Sequence, residues 1–151
     1  MVSNRFPSCE DIRVFFKHME TGNYATMFAR VSPTVDWTVM GTHPLAGRYT
    51  SLESFQAETF ARLAKFMKPP GILLQVRNVI GGGDQDWTVV ELVAKAECES
   101  GMKFDNTYAW VVRFDQHGMI VEVRAYLDSW MVKQAIEENE VPSHRAPMPE
   151  L

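Results

Sequence analysis

The side chains whose spacing says most about chemistry lie in residues 119–128. Alternation there sets Ile120, Glu122, Arg124, Tyr126 and Asp128 against Met119, Val121, Val123, Ala125 and Leu127. Successive side chains of a strand point to opposite faces, so each set shares one side. A carboxylate, a guanidinium and a phenol on one side supply a general base, a stabiliser of negative charge and a hydrogen-bond donor. That combination suits acid–base chemistry on a small molecule. A half-buried strand with its polar side in water shows the same alternation, and periodicity alone favours that plainer arrangement.

Residues 104–114 carry a second pattern. One parity is Phe104, Asn106, Tyr108, Trp110, Val112 and Phe114. Aromatic rings with one amide suit a ligand cavity as well as a core. Packing accounts for most of the rings, with Asn106 and Tyr108 as the exceptions expected to meet a ligand. Glu91 sits in an apolar run, Trp87-Thr88-Val89-Val90-Glu91-Leu92-Val93. Either it is buried, needing a partner or a raised pKa, or it faces out beside Lys95 and Glu97, which share its parity. His43, beside Pro44, is either an acid–base group or a turn histidine bonded to backbone, the latter being the commoner case.

Several chemistries lack their residues. There is no Gly-x-Gly-x-x-Gly and no P-loop lysine motif to cradle a nucleotide. His18, His43, His117 and His144 are scattered, and Cys9 and Cys98 are far apart, so no metal is expected. No Gly-x-Ser-x-Gly elbow occurs. An enzyme built on this sequence is expected to work without a cofactor.

These residues need elements to position them. Ser8 caps a first helix with Ile12, Phe15, Phe16 and Met19 on its apolar face and Gly22 as its stop. A short helix over 24–30 and a strand over 35–39 around Trp37 follow, then the loop Gly41-Thr42-His43-Pro44-Leu45-Ala46-Gly47. Thr50 and Glu53 form a capping box for a helix with Leu52, Phe55, Phe60, Leu63, Phe66 and Met67 on its buried side, ended by Pro69-Pro70-Gly71. Strands are expected over 72–80, 86–99, 102–115 and 119–128, antiparallel because their turns are short. A helix over 129–138 precedes a segment with Pro142, Pro147 and Pro149. The fold class is α+β: a cone-shaped, curved, mostly antiparallel sheet wrapped around N-terminal and central helices. Residues 1–140 form one domain and 141–151 a proline-rich tail.

With 151 residues, 46% hydrophobic and 23% charged, the chain has globular composition. Lys and Arg number 15 against 19 Asp and Glu, a net charge of −4, with no basic run for nucleic acid. No stretch of about 18 apolar residues suggests a membrane span. The first residues lack the apolar core of a secretory signal, and two isolated cysteines suit a reducing compartment, so a cytoplasmic location is expected.

Val35-Asp36-Trp37, the 41–47 loop, the helix around Phe55, Phe104-Asp105-Asn106-Thr107-Tyr108 and residues 118–128 together resemble the SnoaL-like proteins. These belong to the nuclear transport factor 2-like superfamily, with ketosteroid isomerases and limonene epoxide hydrolases. The resemblance spans about residues 10–136 and implies a cystatin-like α+β barrel with an internal pocket, often paired as a homodimer through the sheet. It also implies that Asp128, closing the last strand, faces that pocket, with Trp37 and His43 near its wall or mouth. Two family site sets match at most in part, Asp128 fitting only the last aspartate of the hydrolase set. The isomerase oxyanion tyrosine falls on Val14-Phe15-Phe16, and the hydrolase arginine and first aspartate fall on Glu91-Leu92-Val93-Ala94.

The resulting expectation is an isomerase, cyclase or dehydratase acting without a cofactor on a hydrophobic polyketide- or terpenoid-like metabolite. Asp128 is the expected base, its pKa raised by apolar surroundings. Tyr126 or Tyr108 donates to a developing enolate, Arg124 holds negative charge, and His43 or Glu91 is the second acid–base group. Trp37, Phe55 and Trp110 line the cavity, joined by Asn106 and Tyr108. The alternative is a module of the same fold that only binds a metabolite or dimerises.

Overall fold

The computed structural model describes residues 5–140. Helix α1 (Cys9–Phe16) begins at a reciprocal capping box: Ser8 Oγ accepts from Asp11 N, and Asp11 accepts from Ser8 N. It tightens into a 3-10 turn, Lys17–Thr21, that Gly22 ends in the left-handed region at φ 80°. Helix α2 (Tyr24–Phe28) leads into strand β1 (Val31–Val39) and a short strand β2 (Gly47–Tyr49). The central helical segment is broken. Helix α3 (Leu52–Glu58) and helix α4 (Phe60–Ala64) meet at Thr59, whose φ −120°, ψ −84° is not helical. The Thr59 hydroxyl donates to Phe55 O at 2.6 Å, the i−4 back-bond that bends helices.

Strands β3 (Leu73–Gly81), β4 (Trp87–Lys95), β5 (Thr107–Phe114) and β6 (Ile120–Leu127) precede helix α5 (Ser129–Asn139). The sheet runs β2-β1-β6-β5-β4-β3. All neighbours are antiparallel except β1 and β6, which are parallel. Helices α1 and α3 pack on β3 and β1, and the core lies between them and the inner sheet face. This is the expected α+β architecture.

The expected elements differ in detail. Ser51, not Thr50, caps α3, its Oγ accepting from Ser54 N at 3.1 Å. The strand β2 was not foreseen. The strands expected over 86–99 and 102–115 are shorter, because residues 96–106 turn back to meet the end of the helical segment: Glu99 N donates to Phe66 O and Cys98 N to Met102 O, each at 2.8 Å. The proline-rich tail expected over 141–151 lies outside the described residues. No helix among the described residues is long and apolar enough to cross a membrane.

Candidate active site

The inner face of the sheet is aromatic. Phe104, Asn106, Tyr108, Trp110, Val112 and Phe114 are all buried, so the parity read for residues 104–114 is the inward one. On β6 the inward set is Ile120, Val123 and Ala125. A bulge makes this mixture: Phe114 pairs Ile120 while Arg113 pairs Glu122, so Val121 is the extra residue and the parity switches there.

The bulge and the pairing settle where the polar set of β6 goes. Glu122, Arg124 and Tyr126 are on the outer face, opposite the core, and this corrects the expectation that they converge on a pocket. Glu122 accepts from Arg113 Nε at 3.3 Å. The Arg124 guanidinium lies 4.6 Å from the centroid of the Trp87 ring, a cation–π contact. Tyr126 is 44% exposed. Glu91 shares this face, in register with Ala109 and so with Tyr126. Its carboxylate accepts from Asn78 Nδ2 at 3.2 Å, and it faces out as the second of its two readings had it.

Asp128 is also placed differently. It is exposed, at the N-cap of α5, and its Oδ1 accepts from Met131 N at 3.2 Å. The apolar surroundings expected of a base are absent around it. We predict that Asp128→Ala costs about 1 kcal/mol, the usual loss of a helix cap. In the same thermal-melt series Arg124→Ala and Tyr126→Phe should stay within about 0.5 kcal/mol.

Asn106 is fully buried and acts on backbone. Its Oδ1 accepts from Asp128 N at 3.0 Å and Thr107 N at 2.8 Å, and its Nδ2 donates to Asp128 O at 3.2 Å. It therefore pins the junction of β6 and α5 to the start of β5. Sequence reading gave Asn106 to the ligand; the geometry gives it to the frame.

Trp37, Phe55, Tyr108, Trp110 and His43 do come together. With Val39, Leu45, Thr59, Phe60, Leu63, Ala125, Leu127 and Val132 they line a cavity of about 40 Å³. Trp37 stacks on Phe55 with centroids 3.8 Å apart and meets Trp110 edge to face at 5.2 Å. Tyr108 lies edge to face on Trp110 at 6.2 Å. No carboxylate is in this lining.

His43 is spoken for. Its Nε2 bonds to Met40 O at 2.9 Å, and its Nδ1 accepts from Leu45 N at 3.2 Å. That arrangement requires the neutral Nε2–H tautomer. Burial lowers its pKa, against the opposing effect of the Met40 carbonyl. This is the turn histidine, not a free acid–base group. Because the folded-state pKa lies below the unfolded value of about 6.5, the unfolded chain takes up the proton first as pH falls. The contribution of His43 to stability is complete above that value and is lost on acidification through the folded-state pKa. Denaturant melts between pH 8 and 5 should show this slope, and His43→Gln should flatten it.

Donor groups on two residues of the cavity lining went unseen in the sequence. The indole N–H groups of Trp37 and Trp110 are both buried and have no hydrogen-bond partner among the described residues. Buried donors are almost always paired, so two on neighbouring rings require an explanation. Tyr108, its hydroxyl pKa raised by burial, lines the same cavity. The only sequence signal was that both tryptophans fall on inward parities of their strands.

No family model matches the chain. It is 30% identical over 126 residues to the dimerizing cyclase phiC of a fungal species (strain ATCC 74256), covering 83% of this chain and 55% of that protein. It is 30% identical over 115 residues to the dimerizing cyclase tstC of Talaromyces stipitatus, covering 76% and 51%. The chain thus spans about half the length of these curated relatives. Among solved structures it is similar to an NTF2-like protein from Burkholderia thailandensis, with a TM-score of 0.67 and 24% identity over 81% of this chain and 91% of that one.

Proposed function

We propose that the chain, whose fold is similar to that of NTF2-like proteins, is a SnoaL-like cyclase working without a cofactor on a hydrophobic, carbonyl-bearing metabolite. One observation carries the reading: two rings that line an aromatic cavity carry buried indole N–H donors without partners among the described residues. A carbonyl oxygen held there accepts from Trp37, Trp110 or Tyr108. Those bonds strengthen as negative charge develops on the oxygen, and in a water-poor site they are worth far more than in water. The lining offers no carboxylate, so a ring closure by addition fits better than one that begins with proton abstraction. In a concerted (4+2) addition two carbon–carbon σ bonds form as two π bonds are consumed, so no proton has to leave and no atoms are lost, while the hydrogen-bonded carbonyl carries more negative charge in the transition state than before it. The relatives named dimerizing cyclases support a ring-forming role.

The second reading is a binding module, favoured by the engagement of both His43 nitrogens. The two readings part on product mass. Conjugated ketones incubated with the protein are followed by mass spectrometry and ultraviolet absorbance. A cyclase yields a product of the same mass, or twice it for two joined molecules, with loss of the conjugated absorbance. Ligand retained at unchanged mass and absorbance sinks the enzyme and leaves the binding module.

A further inference from the structure

The cavity is too small for such a ligand as it stands. About 40 Å³ is room for two or three waters, whereas metabolite sites run from about 300 Å³ upward. On the other side of its helical wall lies a groove of about 500 Å³, walled by Tyr24, Phe28, Gln56, Ala64, Pro70 and Ile72 with their neighbours. Phe60 lines both spaces and is the residue their linings share. Its ring meets Tyr24 at 5.6 Å and Phe28 at 5.9 Å on the groove side, and Phe55 at 5.9 Å on the cavity side. Phe55 in turn stacks on Trp37, one of the unpartnered donors.

The local backbone suits a movable ring. Phe60 is only partly buried. It is the first residue of the five-residue helix α4, directly after the break at Thr59. The break interrupts the helix directly before it, and its ring contacts are to three other aromatic residues. We infer that Phe60 is the partition between groove and cavity, and that an apolar ligand enters from the groove by displacing its ring. This rests on the cavity being the ligand site. It explains how a space this small admits a metabolite: the groove holds the body of the ligand, and the cavity takes the carbonyl end against Trp37 and Trp110. Phe60 then sets the size of ligand admitted.

The test uses 2-acetylnaphthalene, a two-ring ketone too large for a cavity of about 40 Å³. In a Trp87→Phe, Trp130→Phe background only Trp37 and Trp110 fluoresce. Their quenching in a stopped-flow mixer reports the arrival of the ketone. Phe60→Ala should raise the association rate about 10-fold and Phe60→Trp lower it by a similar factor, since an entry step that needs a conformational change limits association. Phe60→Leu, closer to the native packing, should fall between Phe60→Ala and the unaltered background and covers the chance that Phe60→Ala fails to fold. Equal rates in folded variants and background overturn the partition while leaving the cavity as the ligand site. Absence of quenching in every chain, Phe60→Ala included, overturns both.

Discussion

Asn106→Ala should destabilise the chain by about 2–4 kcal/mol, because it strips the buried partner from three backbone groups at once. The N–H groups of Thr107 and Asp128 and the carbonyl of Asp128 all bond to the Asn106 amide. An unmet buried donor costs about 1–3 kcal/mol, and the missing amide also leaves a gap in a close-packed region. The loss is not confined to stability. Asn106 holds the turn between Leu127 and Val132, and both of these line the cavity. Chemical denaturation should show a lower midpoint at nearly unchanged slope, since the surface exposed on unfolding stays the same. Contrast Asp128→Ala: it removes one exposed cap bond and should cost a fraction as much.

Trp110→Phe should behave in the opposite way, with activity lost and stability kept. Removing one donor from a site that stabilises developing oxyanion charge costs about 10²–10³-fold in turnover. The same change deletes a buried N–H that has no partner, which offsets the smaller ring's lost packing area. The expected outcome is a melting midpoint close to that of the parent and turnover of a conjugated ketone reduced about 100-fold. Trp37→Phe should act in the same direction, with more damage to stability, because Trp37 is fully buried and stacked on Phe55. Activity kept at the parent level in a folded Trp110→Phe protein would remove the indole from the mechanism.

Parts of this arrangement were legible in the sequence for a clear reason. In residues 104–114 an aromatic parity faces a mixed one, so only one side can be the core. The helical stretches likewise announce their caps and stops, as Ser8 and Gly22 do. Residues 119–128 were harder. Their two parities are equally regular, and the resemblance argued for the polar side facing inward. What decided the matter lies elsewhere in the chain. Arg113 and Trp87 stand beside Glu122 and Arg124 on the outer face, and the bulge at Val121 returns Ile120 to the core. The register of β6 on β5 is set across the 115–119 turn, where Asp115 N donates to Met119 O, and the alternation of residues does not encode it. The break at Thr59 was hidden for a similar reason, because Phe55, Phe60 and Leu63 fit one helix face whether or not the helix is continuous.

The outer face that results carries paired charges. Arg48 bonds Asp36 through two contacts of 2.9 Å, and Arg113 bonds Glu122. Exposed pairs of this kind contribute at most about 1 kcal/mol each. Their loss is expected to leave chemistry in the cavity unaffected.

The central claim is that a ligand oxygen meets the indole N–H groups of Trp37 and Trp110. The four tryptophan side chains should each give one indole N–H resonance in a spectrum of ¹⁵N-labelled protein. Titration with 2-acetylnaphthalene should move the Trp37 and Trp110 signals downfield together, as donors newly bonded to oxygen do, with Trp87 and Trp130 left in place. Saturable shifts confined to Trp87 or Trp130, with Trp37 and Trp110 unmoved, would put the ligand on the outside of the protein and contradict the account.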